Sequence, residues 1–182
     1  MKKYIVFIFI LLAGYSGFCE TSSYINMNQK QAIDNKTNIT FMGQSYRFGL
    51  GSETQNNYFL AGETPNAFSS LISIHVFKNN TDPLLVANGM YNKLLGNGQT
   101  AQLAIHRQSQ EPTVTFILKN PQGLELNLWR FYRNSDHSEV IGMQYLRTFK
   151  TPTTIQEQQR IQSVIQTISE QFALLPKMDF IW

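Results

Sequence analysis

The chain has 182 residues, one cysteine and a formal net charge of +3. Lys2 and Lys3 stand at its extreme start, and without them 13 basic side chains face 12 acidic ones. A charge so close to zero gives no electrostatic footing for nucleic acid or an anionic membrane surface, and the length suits one domain with a core of its own.

Met1-Lys2-Lys3 followed by the apolar run Tyr4 to Phe18 has the form of a secretory signal peptide. A membrane span needs about 20 apolar residues, and Glu20 with Thr21-Ser22-Ser23 ends this run short. The expectation is a signal peptide over 1–19, a periplasmic or secreted mature protein, and no transmembrane anchor after cleavage. A cut after Ser16 and a cut after Cys19 both satisfy the small-residue rule. A bacterial lipobox wants Leu three residues before the cysteine and a small residue directly before it. Those places hold Ser16 and Phe18, so a lipid anchor on Cys19 is the alternative and an unmodified protein the expectation. If Cys19 leaves with the leader, no cysteine remains for a disulfide, a thiolate nucleophile or a thiolate metal site. Residues 20–38 are polar and patternless, a flexible lead-in to a domain over 39–182.

Ile39, Phe41, Tyr46 and Phe48 suggest a strand or bent hairpin around Gly43, ending at Gly49-Leu50-Gly51. A polar loop, Ser52 to Asn57, precedes Tyr58-Phe59-Leu60. Phe68 to Phe77 alternates, with Ile72, Ile74 and Val76 on one side and Ser73 and His75 on the other. Asp82-Pro83 starts a helix over about 83–95, the Asp as N-cap and the Pro in the first turn. Its expected apolar stripe is Leu84, Ala87, Met90, Tyr91, Leu94 and Leu95, closed by Gly96. Gln99 to Arg107 reads as a strand with Ala101, Leu103 and Ile105 inward.

Residues 111–150 read as a three-strand antiparallel meander. Asn120-Pro121-Gln122-Gly123 suits a type I turn with a glycine bulge, a loop that pairs Asn120 with Leu124. Val114, Phe116, Leu118, Leu124, Leu126 and Leu128 then share one face, and Gly123 takes positive φ. Pairing Arg133 with Glu139 across the next loop sets Glu125 opposite Arg147, Trp129 opposite Met143 and Phe131 opposite Ile141. The face away from the leucines would carry Trp129, Phe131, Ile141, Met143 and Tyr145, edged by Arg133 and Arg147. Aromatic and arginine side chains are what interfaces use as anchors, so these seven are the candidate binding residues. With two amphipathic helices available for one sheet, the competing and favoured reading puts this face under a helix.

The closing helix, about 155–175, opens on the capping box Thr154/Glu157 and buries Ile161, Val164, Ile165, Ile168, Phe172 and Leu175 against the meander. Pro176 stops it, and the apolar tail Lys177 to Trp182 docks back on the domain. The whole is an α+β domain, an antiparallel sheet with two helices. This order of a front hairpin, a strand, a helix, four strands and a last helix resembles the PsbP-like family over roughly Thr40 to Leu175. The resemblance implies an antiparallel sheet with helices on both faces and a habit of binding other proteins. It rests on element order, so it carries no functional residue across.

Catalytic patterns are sparse. His75, His106 and His137 stand alone, without the spacing of a metal site. No serine has the GxSxG setting, no glycine run cradles phosphate, and Asp82, Glu157, Glu125 and Glu139 have structural uses. No catalytic residue, cofactor or metal is assigned. The expectation is an exported bacterial accessory domain of the envelope or secreted fraction that binds a partner protein. The alternative is a small secreted hydrolase.

Overall fold

The computed structural model describes residues 38–106, 109–121, 123–135 and 137–178. The expected leader with Cys19, all but the last residue of the lead-in, and the end of the tail from Asp179 lie outside them. Eight strands form one antiparallel sheet: β1 (Ile39–Phe41), β2 (Gln44–Gly51), β3 (Gln55–Leu60), β4 (Ser70–Phe77), β5 (Ala101–Ile105), β6 (Pro112–Asn120), β7 (Gly123–Arg133) and β8 (Val140–Phe149). Their spatial order is β1-β2-β3-β4-β8-β7-β6-β5. Helix α1 (Pro83–Gly96) follows β4 and helix α2 (Ile155–Ala173) follows β8. The fold is α+β and mostly sheet. No helix among the described residues is long and apolar enough to cross a membrane.

The helices lie on opposite faces. Val86, Ala87 and Leu94 of α1 pack on Val114, Phe116, Trp129, Phe131 and Val140. Ile168 and Phe172 of α2, with Leu175 beyond it, pack on a larger core that includes Phe41, Tyr46, Ile72, Leu126, Leu128, Met143 and Tyr145. Strands β4, β7 and β8 are therefore buried on both sides along most of their length. At about 1.5–3 kcal/mol for each large apolar side chain taken out of water, two such cores hold the sheet from both sides.

That double cover corrects both expected registers by one residue. Asn120 pairs with Gly123, so Leu126 lies opposite Ile117 and Phe116 opposite Asn127. The leucines do not collect on one face. Leu126 and Leu128 go under α2, while Val114, Phe116 and Leu118 go under α1. The physical reason is simple: a one-residue slip exposes an apolar set only when one face meets water, and over most of β7, the strand both registers share, neither does. Gly123 has the positive φ expected of it, +146°, and a Cβ there would fall on the Phe149 carbonyl oxygen.

The second register behaves alike. Arg133 pairs with Val140, Glu125 with Thr148, Trp129 with Gln144 and Phe131 with Gly142. Neither expected ion pair, Arg133–Glu139 or Glu125–Arg147, lies across the ladder. Glu125 and Arg147 are on opposite faces.

The local signals fare better. Met42 and Gly43, both at positive φ (51° and 73°), form the tight turn of the front hairpin. Asp82 Oδ1 accepts from the Leu84 N–H at 2.9 Å and caps α1. The strand β3 begins inside the expected polar loop, at Gln55. α1 is turned so that Val86 is buried while Leu84 and Leu95 are exposed, and its C-cap is Asn97 with Gly98 at φ +70°, in place of Gly96. Strand β5 ends at Ile105, which is exposed, and His106 follows it.

At α2 the Thr154 hydroxyl accepts from the Glu157 N–H, and Glu157 Oε2 accepts from the N–H groups of Thr153 and Thr154. Only the second half of α2 is buried. Its end is held by Arg130 of β7, whose guanidinium donates to the carbonyls of Phe172 (3.3 Å), Ala173 (3.0 Å) and Leu175 (2.6 Å). Glu111 balances that cation at 2.6 Å, a close charge contact, and also meets Lys177 at 2.7 Å. The Tyr132 hydroxyl donates to the Met178 carbonyl and accepts from the Met178 N–H. The tail is docked as far as Met178.

Candidate functional site

The seven candidate binding residues do not form one surface. Trp129 and Phe131 face α1; Ile141, Met143, Tyr145 and Arg147 face the α2 side; Arg133 is exposed at the end of β7. All five apolar and aromatic members are buried. Trp129 stacks on Phe131 with centroids 5.8 Å apart, and Tyr145 packs edge-on to Phe41 at 4.9 Å. These rings serve two cores. The reading that a helix covers them is the one the geometry supports, with a different helix for each half.

Beside Trp129 the same face carries a buried polar row. His75 on β4 is 3% exposed, and its ring lies 4.7 Å from the indole. His75 Nε2 lies 3.3 Å from Gln144 Oε1, Gln144 Nε2 donates to Asn127 Oδ1 at 2.8 Å, and Asn127 Nδ2 donates to Glu125 Oε1 at 3.0 Å. Each amide accepts through oxygen and donates through nitrogen, so the row runs one way, from a neutral imidazole to a carboxylate. Burial lowers the His75 pKa to about 4 and raises that of Glu125. Neighbouring Ser73 donates to Asn57 Oδ1 at 2.6 Å. The sequence alone puts His75 on the polar side of its strand, and the row is not visible there because two of its three links join different strands.

His106 sits beyond β5 with Nδ1 3.2 Å from the Ser109 hydroxyl, and His137 is exposed in the β7–β8 loop at φ 60°. The three histidines are not brought together. Among the described residues no group of three or more His, Cys, Asp or Glu side chains is placed to hold a metal ion.

The outer side of α1 has a different character. Leu84, Leu85 and Leu95 are 43%, 63% and 46% exposed. At 100° per residue they fall on one side of the helix with Asn88 and Asn92, opposite the buried Val86, Ala87 and Leu94 and the partly buried Met90. Lys93 is the sole charged residue of α1, and it lies outside that stripe. A helix apolar on both sides is what a further packed layer requires. The signal is present in the sequence as a helix almost without charge, but the expected stripe sets Leu84 and Leu95 inward with Ala87, Met90, Tyr91 and Leu94, and both are exposed.

A family model matches residues 33–180 of the chain. No curated protein and no solved structure matches it.

Proposed function

We propose that the chain, which belongs to the family whose model spans residues 33–180, is an exported, non-catalytic accessory domain of a bacterial envelope or secreted fraction, docking on a partner protein through the outer face of α1. The observation that carries this is the uncharged stripe Leu84, Leu85, Leu95 with Asn88 and Asn92. Interface centres are depleted in charge, and an apolar anchor there gains what it loses by standing in water. The Lys2-Lys3 start and the apolar run to Phe18 support export. Helices on opposite faces of one antiparallel sheet are the arrangement that the PsbP-like resemblance implies. The buried His75–Glu125 row, bridged by two amides, favours a structural use of those groups over hydrolysis.

A photo-crosslinking residue at position 85, expressed in the native host, tests this. The expected result is a defined heteromeric adduct that is absent with the crosslinker at Gln162, and lost when Leu84→Asp is combined with Leu95→Asp. An adduct only with a second copy of the chain, or none, would overturn the reading. Turnover of ester or peptide substrates by the purified mature protein, lost in His75→Gln, would favour the hydrolase.

A further inference from the structure

On the side of the sheet away from α1, the first turns of α2 stand off β8. Residues 155–160 are all exposed, and burial of the helix is complete only from Ile168. A groove of about 410 Å³ opens there, between the end of β8 and the helix. Its size lies in the range of sites for small ligands, about 300–1,000 Å³. The apolar part of the lining is Phe149, Ile161 and Val164, and the charged part includes Arg147, Lys150 and Arg160.

Three facts make the charge of this groove available. Among the described residues, none of the three cations has a carboxylate partner. The acid that sequence reading set against Arg147 is Glu125, and the register sends it to the other face. Glu157 does line the groove, but its Oε2 accepts from the Thr153 N–H at 2.7 Å, the Thr153 hydroxyl at 2.9 Å and the Thr154 N–H at 3.2 Å. It is turned to the helix N-terminus as a cap. The Arg147 guanidinium lies over the Phe149 ring at 5.2 Å, so cation and apolar wall are joined at one point of the lining.

We infer that this groove binds a small soluble amphiphile with a carboxylate head and a short apolar chain. Arg147, Lys150 and Arg160 supply the charge-assisted donors for the head, and arginine's planar fork matches a carboxylate. Phe149, Ile161 and Val164 receive the chain. The site is on the opposite face from α1 and does not depend on what docks there.

The test uses the mature protein titrated with octanoate, followed by calorimetry and by amide chemical shifts, with acetate as head alone, 1-octanol as chain alone and phosphatidylglycerol vesicles as a lipid surface. The expected result is saturable one-to-one octanoate binding, with shifts centred on Lys150, Arg160 and Val164. Arg147→Gln with Arg160→Gln should weaken it roughly tenfold or more. Lys150→Gln alone, at an exposed position, should weaken it less and keeps the test open if the double variant fails to fold. The inference is overturned if octanoate does not saturate, if its shifts map elsewhere, if acetate or octanol binds as well as octanoate, or if only vesicles bind.

Discussion

His75 and Glu125 stand at the two ends of one directed hydrogen-bond row, joined through Gln144 and Asn127 across β4, β8 and β7. Burial holds His75 neutral down to about pH 4, against an ordinary value of 6.5. Above pH 6.5 the histidine is neutral folded and unfolded, and its contribution to stability is fully present. As pH falls from 6.5 toward 4, the unfolded chain takes up a proton that the folded chain refuses, and stability is lost, by up to roughly 3 kcal/mol. Glu125 acts in the opposite direction, because its carboxyl is harder to ionise inside the fold. The net expectation is a melting temperature that drops between pH 6.5 and 4. In His75→Gln that slope should flatten, whatever the variant costs at pH 7. A wild-type profile no steeper over this window than that of His75→Gln would refute the assignment of a neutral buried imidazole.

Gly123→Val should destabilise by more than about 1 kcal/mol, because a β-branched residue resists φ > 0. Its Cβ also meets the Phe149 carbonyl oxygen on the neighbouring strand, so the end of the β7–β8 ladder must move as well. A shift of roughly 2–4 °C in Tm per kcal/mol applies at this size. Thermal denaturation of the variant checks it, and a Tm within 1 °C of wild type, on the scale of that estimate, would count against the strained backbone.

The contrast between that turn and its register shows what was legible. Asn-Pro-Gln-Gly announced a hairpin and a strained glycine, since turn chemistry is local. Capping by Asp82 and the Thr154/Glu157 box were legible for the same reason. The register was not. Parity is read from which face is apolar, and β7 is apolar on both, with Leu126 and Leu128 under α2 and Trp129 and Phe131 under α1. The candidate patch failed with it: Trp129 and Met143 were placed together by a one-residue error that put them on one face. The Glu111–Arg130 contact was also beyond reach, because what calls for a cation there is the end of a helix more than 40 residues further on.

Ile168→Ala should cost about 2–5 kcal/mol, since the side chain is fully buried in the core beneath α2. Gln162→Ala, on an exposed position of the same helix, should stay within about 0.5 kcal/mol of wild type. Chemical denaturation of the two variants side by side makes the comparison. Equal midpoints would mean that α2 is not anchored through its second half.

Arg130 supports the strongest prediction, because two separate costs fall on one substitution. Arg130→Met has similar length and keeps an unbranched side chain beside the Tyr132 ring. It removes the donor to the Phe172, Ala173 and Leu175 carbonyls at the end of α2. It also leaves Glu111, whose side chain is 7% exposed, with Lys177 as its remaining cation. Breaking a buried pair from one side typically costs about 3–5 kcal/mol, because the other charge stays buried. Replacing Glu111 as well, in Arg130→Met with Glu111→Gln, removes that stranded charge and should recover part of the loss. The lost carbonyl donors should not be recovered. Hydrogen exchange separates the two terms. Amides of the last turns of α2 and of Met178 should exchange faster in both variants, while the midpoint of unfolding improves only in the double. If the double variant unfolds no later than the single, Glu111 is not a buried charge in need of a partner, and Arg130 acts on the helix end alone.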